Sequence, residues 1–225
     1  FSLQRIPVGI IDLQWDELHW QTLRFGSGHF SVERAADRPR IQLTLSDTKL
    51  SGGTARGQIV IDTAEGLHAL QGGLRFVNVD LEAISSAHGS ALPIRGRVSI
   101  DGNLLSVGAG VDELMQAMQG RVEITASAGS INLPMLADIL TPALDGQVPF
   151  QALNATFNVA HGVARTEDII LKGTKLSVVG SGQFDLATHE SDIEFKKIDG
   201  NGGTRGMRTY RLRGAGSNWS VEKLN

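Results

Sequence analysis

Strict alternation of apolar and polar residues constrains the fold of this chain more than any other feature of its sequence. In residues 174–186, TKLSVVGSGQFDL, apolar residues and glycine fill the even positions from 176 onward, and mostly polar residues fill the odd ones. The same repeat of two recurs at residues 41–45, 122–128 and 153–159. It is typical of a half-buried β-strand, with one face on a core and one in water. The sequence therefore predicts roughly twelve strands, mainly antiparallel.

Helical signals are short and few. Residues 80–86 begin with an aspartate, a helix-capping residue, and residues 134–140 begin with a proline, which a first helical turn tolerates. Residues 111–118 carry an apolar stripe that includes Leu114 and Met118, which we expect to pack on the sheet. We therefore predict an all-β fold, a curved open sheet or β-groove with two to three short α-helices, and roughly half of all residues in strands.

Glycines have two different meanings in this sequence. Those in DGN at residues 101–103, HG at 161–162 and DGNGG at 199–203 predict turns between strands. Gly180 and Gly182 instead lie within a strand, on its apolar face, where glycine marks a bend, a bulge or the close approach of another group. A dinucleotide loop is excluded because the third glycine and the following helix of that motif are missing.

Short sequence motifs that occur twice predict how the chain is organised. GSGHF recurs later as GSGQF, and RGQIVID recurs as RGRVSID. We expect a single β-rich domain over residues 1–225, with repeat units of about residues 1–90 and 91–225. The sequence begins at Phe1 rather than methionine, so we also expect it to be a fragment of a longer protein.

Composition excludes several classes of function. The net charge of −3 provides no basic surface for nucleic acid. The absence of cysteine removes disulfides, thiolate zinc sites and cysteine nucleophiles. The six histidines lack the spacing of metal ligands, and no serine lies in a nucleophile-elbow motif. We therefore predict no catalytic residues, no metal, no cofactor and no enzymatic activity, although strands distant in sequence can still bring two carboxylates together.

Three stretches of the second half share a further pattern: DELMQAMQGRVEITASAGSINLPMLADIL, PFQALNATFNVAHGVARTEDIIL and TKLSVVGSGQFDLATHESDIEF. They resemble the C-terminal region of the AsmA family, envelope proteins of Gram-negative bacteria. The residues that match the family pattern are Gly120, Phe150, Leu153, Phe157, Gly162, Gly180, Gly182, Asp185 and Leu186. The resemblance covers residues 44–195 and departs from the pattern at His161, where the family usually has asparagine.

The resemblance implies a long, β-rich groove related to bridge-like lipid carriers. It also implies that the protein lies in the periplasm and is tethered to the inner membrane by an anchor outside this sequence. The implied function is to bind phospholipid acyl chains and help move phospholipid between the inner and outer membranes, which supports outer-membrane integrity.

The residues themselves point to an apolar face that two or three short helices are too few to cover. Such a face has room for acyl chains and needs no polar motif, because each buried methylene contributes about 0.8 kcal/mol. The candidate groove residues are Ile124, Ala126, Phe157, Val159, Leu176, Val178, Gly180, Gly182, Phe184, Ile193 and Phe195.

A non-enzymatic scaffold, or assembly factor for outer-membrane proteins, is the alternative, because sheet edges also bind strands of partner proteins. The two hypotheses differ in what the apolar face contacts. If the face is an open groove, as we expect, a carboxylate at Val178 reaches water and displaces lipid. If it is a sealed core, the same carboxylate unfolds the domain.

Overall fold

The computed structural model describes residues 7–20, 23–37, 39–83, 94–131, 147–174, 176–199, 208–215 and 218–224. Of these residues, 79% lie in strands and 6% in helix. The predicted fold class, an all-β open antiparallel sheet with short helices, is confirmed. The strand content exceeds the predicted half, because most of the strands are longer than the alternating segments that revealed them.

Fifteen strands and one helix follow one another along the described chain, and residues 81–83 add a helical turn after β7. The predicted helix at residues 134–140 lies outside the described residues. The elements are β1 (Gly9–Trp15), β2 (Leu18–Trp20), β3 (Leu23–Phe25), β4 (Gly28–Arg34), β5 (Arg40–Leu50), β6 (Gly53–Ala64), β7 (Leu67–Asp80), β8 (Ile94–Gly108), α1 (Val111–Ala117), β9 (Gln119–Ile131), β10 (Val148–Ala160), β11 (Val163–Lys172), β12 (Leu176–Asp185), β13 (Ser191–Asp199), β14 (Arg208–Ala215) and β15 (Asn218–Leu224).

All fifteen strands belong to one sheet. Its order is β1-β4-β5-β6 and so on to β15, so from β4 onward strands that are consecutive in the sequence are neighbours in the sheet. The short β2–β3 hairpin lies off this path and joins it where Phe25 pairs with Leu50. Every pair is antiparallel, and the pairing of β7 with β8 continues the sheet across the boundary between the two predicted repeat units.

Two-residue turns connect several of the hairpins. His161 and Gly162 have φ values of 52° and 72°, as a type I′ turn requires, so the turn predicted there is confirmed. The turn predicted at residues 101–103 is wrong, because these residues lie within β8 and pair with β7 and β9. Asp101 lies on the solvent-exposed face of β8, where its Oδ2 is 3.5 Å from Arg75 Nε. The polar residues that suggested a turn are therefore outward-facing strand residues. Of the turn predicted at 199–203, the structure describes only Asp199, which ends β13.

One extra residue interrupts the pairing in each of the alternate strands β5, β7, β9 and β11. Asp47, Asn78 and Ala128, at three of these β-bulges, have positive φ values of 42°, 56° and 44°. A bulge bends a strand and increases its local twist. Because bulges recur across the sheet, they allow it to curve around one of its faces.

Each bulge also shifts the apolar positions by one residue. In β5, Leu43 and Leu45 share a face with Thr48 and Leu50, although their residue numbers change from odd to even. We call this face, which carries the buried residues of the sheet, the inner face. Nine of its buried residues form a cluster across β8–β14, namely Val98, Ala126, Val148, Phe150, Leu171, Val178, Phe195, Tyr210 and Leu212.

Glycines on the inner face lie against large side chains of the neighbouring strand. A Cβ atom on Gly57 would lie 2.5 Å from Leu74 Cδ2, and one on Gly182 would lie 2.7 Å from Ile193 Cα and 2.5 Å from the Asp192 carbonyl oxygen. A Cβ on Gly180 would make longer contacts, 3.0 Å from the Glu194 carbonyl oxygen and 3.3 Å from Phe195 Cβ. The two glycines within β12 therefore serve close approach between strands, one of the roles that the sequence allowed.

We predict that Gly182→Ala destabilises the fold by about 1–3 kcal/mol, because the added methyl group overlaps the β13 backbone. Gly102→Ala is the control, since a Cβ there meets nothing closer than Val122 Cγ2 at 3.4 Å. Chemical denaturation should show a lower midpoint for the first variant and a change of less than about 0.5 kcal/mol for the second. Equal midpoints would contradict the proposed close approach.

Asp168 fills the bulge of β11, where its Oδ1 accepts hydrogen bonds from the Thr156 backbone N–H at 2.8 Å and the Thr166 hydroxyl at 2.9 Å. The Thr156 N–H is the main cause that lowers the pKa of Asp168 below its usual value. The ionised carboxylate therefore stabilises the fold above the unfolded pKa of about 4, and this contribution disappears as the pH falls through the lower folded pKa.

We predict that Asp168→Asn lowers stability at pH 7 by less than about 1 kcal/mol, because the site is exposed. The difference from the parent protein should shrink when thermal unfolding is measured at successive pH values below about 4. A difference that stays constant down to pH 2 would mean that the charge of Asp168 has no role in the bulge.

Candidate functional site

The structure places the predicted groove residues together on the inner face of strands β9–β13. Ala126, Val159, Val178 and Phe195 are buried, and the others with described side chains are half-buried. Leu176 begins β12, but its side chain lies outside the described residues. The alternating pattern therefore predicted a shared face correctly. In this structure, however, that part of the face is covered, since Val178 is only 7% exposed.

Helix α1 packs on one end of the inner face, as the sequence predicted. The Ser106 hydroxyl donates to the Leu114 carbonyl at 2.5 Å, and the Gly162 N–H donates to the Met118 carbonyl at 3.0 Å. Leu114 and Met115 are half-buried, and Ser106 beneath them is fully buried. The helix therefore joins β8 to the β10–β11 turn and closes the sheet at the ends of these strands.

The inner face is open at the other side of the sheet, toward β1. Register links Leu13, Phe30, Leu45, Gly57 and Leu74 into one row that runs across β1, β4, β5, β6 and β7. Five strands spaced about 4.8 Å apart make this row roughly 19 Å long. Leu13 is 49% exposed and Leu74 is 40% exposed, so both ends of the row contact solvent.

A second row lies beside the first. It links Ile11, Val32, Leu43 and Ile59, and Ile11 is 46% exposed. We call the apolar residues of the two rows the open strip: Ile11, Leu13, Phe30, Val32, Leu43, Leu45, Ile59 and Leu74. Sequence reasoning missed the strip as a site, although its alternation was visible, because alternation cannot tell a covered face from an open one.

Trp15 limits the open strip at one end of β1. Its indole Nε1 donates to the Gly26 carbonyl at 2.7 Å. A Cβ on Gly28 would lie 2.5 Å from the Trp15 ring and 2.6 Å from the Thr48 hydroxyl. The Trp15 ring therefore packs against Gly28 of β4, where any larger residue would overlap it.

The β1 edge of the sheet has no partner strand among the described residues, and both of its faces carry exposed apolar side chains. Ile10 on the outer face is 65% exposed, opposite Ile11 and Leu13 on the inner face. The edge strand at the other end, β15, is more polar, and its Trp219 and Val221 pack against the large buried cluster. The two ends of the sheet therefore differ. Among the described residues of the inner face, the large apolar side chains that are at least 40% exposed lie on β1 and β7, namely Ile11, Leu13 and Leu74.

The carboxylates with shifted pKa values are held by structural partners. Arg211 and Arg213 lower the pKa of Asp192, with Arg211 Nη2 at 2.6 Å from Asp192 Oδ2. The backbone N–H groups of Thr188 and Ala187 lower the pKa of Asp185 in the turn after β12. None of these groups lies on the open strip. Among the described residues, no group of three or more His, Asp or Glu side chains is placed to hold a metal ion, and no helix is long and apolar enough to cross a membrane.

Comparison with protein-family models, with curated proteins and with solved structures found no match to the chain. The AsmA resemblance therefore stays a prediction from the sequence.

We predict opposite effects for a carboxylate in the closed and open parts of the inner face. Val178→Asp buries a carboxylate beside its register partner Lys197, whose charge offsets part of the desolvation cost, so we expect it to destabilise the fold by roughly 3 kcal/mol. Leu13→Asp leaves its carboxylate in water and should change the melting temperature little. Circular dichroism melts of both variants test this difference. A stably folded Val178→Asp protein would show that the β8–β14 face opens in solution.

Proposed function

We propose that this protein is a non-enzymatic, lipid-binding module whose open strip holds an acyl chain. The observation that carries the proposal is the exposure of Ile11, Leu13 and Leu74 on a face that is otherwise covered. Apolar side chains that are exposed at Leu13 and Leu74 and half-buried between them align across five strands, so they form a continuous surface rather than scattered contacts. Contiguous apolar surface of this kind is typical of an interaction site.

The chemistry of the strip suits a hydrocarbon chain. Its eight residues are aliphatic or phenylalanine, and glycine at Gly57 keeps the surface low between Leu45 and Leu74. Each methylene that leaves water contributes about 0.8 kcal/mol, so a chain along the strip needs no polar contact. The sequence analysis found no polar binding motif, which agrees with this mode of binding.

The AsmA resemblance supplies the cellular setting of the proposal. In that setting the module lies in the periplasm, a segment outside this sequence tethers it to the inner membrane, and it helps move phospholipid between the inner and outer membranes. An outer-membrane defect on loss of the protein would agree with this setting.

The β1 edge favours a second function, that of a scaffold for envelope proteins. Ile10, Ile11 and Leu13 present apolar side chains on both faces of a strand whose outer edge is unpaired among the described strands. Unprotected edges of this kind bind further strands, and an added strand would extend the apolar rows.

Native mass spectrometry after incubation with phospholipid vesicles separates the two functions. We expect the protein to carry phospholipid and Leu13→Asp to reduce the bound fraction at least about tenfold, since two lost methylene contacts have that effect. Leu105→Asp is the matched control, because Leu105 is equally exposed, at 48%, but lies on the outer face. Absence of bound lipid in the parent protein, or equal loss in both variants, would favour the scaffold.

A further inference from the structure

Basic side chains collect at one end of strands β11–β15. Because the strands are antiparallel, the last residues of β11, β13 and β15 lie at the same end of the sheet as the first residues of β12 and β14. Four of the basic side chains there are exposed, and that of Lys197 is half-buried. We call this group the basic end: Lys172, Lys196, Lys197, Arg208 and Lys223.

Carboxylates do not neutralise the basic end. Among the four described residues of each strand that lie nearest this end, only Asp199 and Glu222 are acidic. Glu222 is the register partner of Arg211, whose pKa is raised mainly by Asp192 and further by Glu222. Positive charge therefore remains in excess here. The opposite end of the same strands carries both signs of charge, namely Arg165, Asp185, Glu190, Asp192 and Arg213.

Two of the cations lie directly opposite each other. Lys197 and Arg208 are register partners in the β13–β14 pair, on the inner face of the sheet. Lys197 is also the register partner of Val178, which belongs to the large buried cluster. Like charges at directly opposite positions of a sheet repel each other. An anionic partner at this end would reduce that repulsion.

Aliphatic side chains lie among the cations on the outer face. Ile170 is 37% exposed, two residues before Lys172 at the end of β11. Lysine stems are also apolar, and they lie along apolar surface while their ammonium groups stay in water. The basic end therefore combines positive charge with a shallow apolar surface. Register aligns one row there that contains both kinds of side chain, namely Ile170, Val179, Lys196, Thr209 and Leu224.

We propose that the basic end docks on the surface of a lipid bilayer that contains anionic phospholipid. Such a surface offers phosphates to the cations and shallow hydrocarbon to Ile170 and Leu224. A nucleic acid fits less well, because Tyr210, the aromatic residue described at this end, is only 4% exposed and leaves no ring on which bases could stack. The proposal goes beyond lipid binding by the open strip, which lies at the other side of the sheet, toward β1.

Flotation with vesicles tests the docking. The parent protein should bind vesicles made of equal amounts of phosphatidylglycerol and phosphatidylcholine far more tightly than vesicles of phosphatidylcholine alone. Lys172→Gln/Lys196→Gln/Lys223→Gln should weaken binding to the mixed vesicles about a hundredfold, since each basic residue near an anionic surface contributes several-fold.

Arg75→Gln/Arg121→Gln/Arg165→Gln is the matched control. It removes the same charge from exposed positions on the outer face that lie away from the basic end, so binding to the mixed vesicles should stay within a few-fold of the parent. Circular dichroism melts should show that both triple variants are folded. An equal loss of binding in the two variants, or equal binding of the parent to both kinds of vesicle, would overturn the proposal.

Two further measurements separate docking from other modes of binding. If the parent binds double-stranded DNA as tightly as the mixed vesicles, the basic end is a general polyanion site and the proposal is wrong. Native mass spectrometry after incubation with phosphatidylcholine vesicles should show equal phospholipid in the parent and the basic-end variant. A parent that floats with mixed vesicles but carries no phospholipid supports docking and contradicts the proposed lipid-binding function, and the reverse result contradicts docking alone.

Discussion

Apart from α1 and the helical turn at residues 81–83, the described residues form no second layer over the sheet, which therefore buries its apolar face by curving, and the rest of this structure depends on that constraint. The bulges in β5, β7, β9 and β11 provide the curvature, and each places one extra residue in its strand. Glycines such as Gly57 and Gly182 then let side chains of the next strand lie flat on the inner face. Without the bulges or these glycines, the nine-residue cluster across β8–β14 would be exposed to water.

The inner face is covered in one region and exposed in another, and the exposed region is the candidate binding site. From β8 to β14 the apolar residues cover one another, with α1 at one end and Trp219 and Val221 at the other. Toward β1 the same face is open, and its rows end at exposed Ile11 and Leu13. A binding surface and a stable core are therefore two regions of one continuous apolar face. Stability of the closed region allows the open region to stay exposed.

Charge and the open strip are separate in this part of the sheet. The apolar rows contain no ionisable side chain, whereas Arg24, Lys49 and Arg97 lie on the outer face near the ends of their strands. The β1 edge is a separate feature, because it has no partner strand among the described residues and its backbone groups can pair with a further strand.

The sequence by itself determined the fold class, because alternation of apolar and polar residues has no other regular solution than a half-buried strand. It also determined that residues such as Val178, Phe184 and Phe195 share a face, and that His161 and Gly162 form a turn. Only the tertiary structure decided where that face is covered, because coverage depends on curvature, and curvature depends on bulges. In the sequence, a bulge such as that at Asp47 shows only as a change of the apolar residues from odd to even positions. A turn or the end of a strand produces the same change, so the sequence does not identify the bulge.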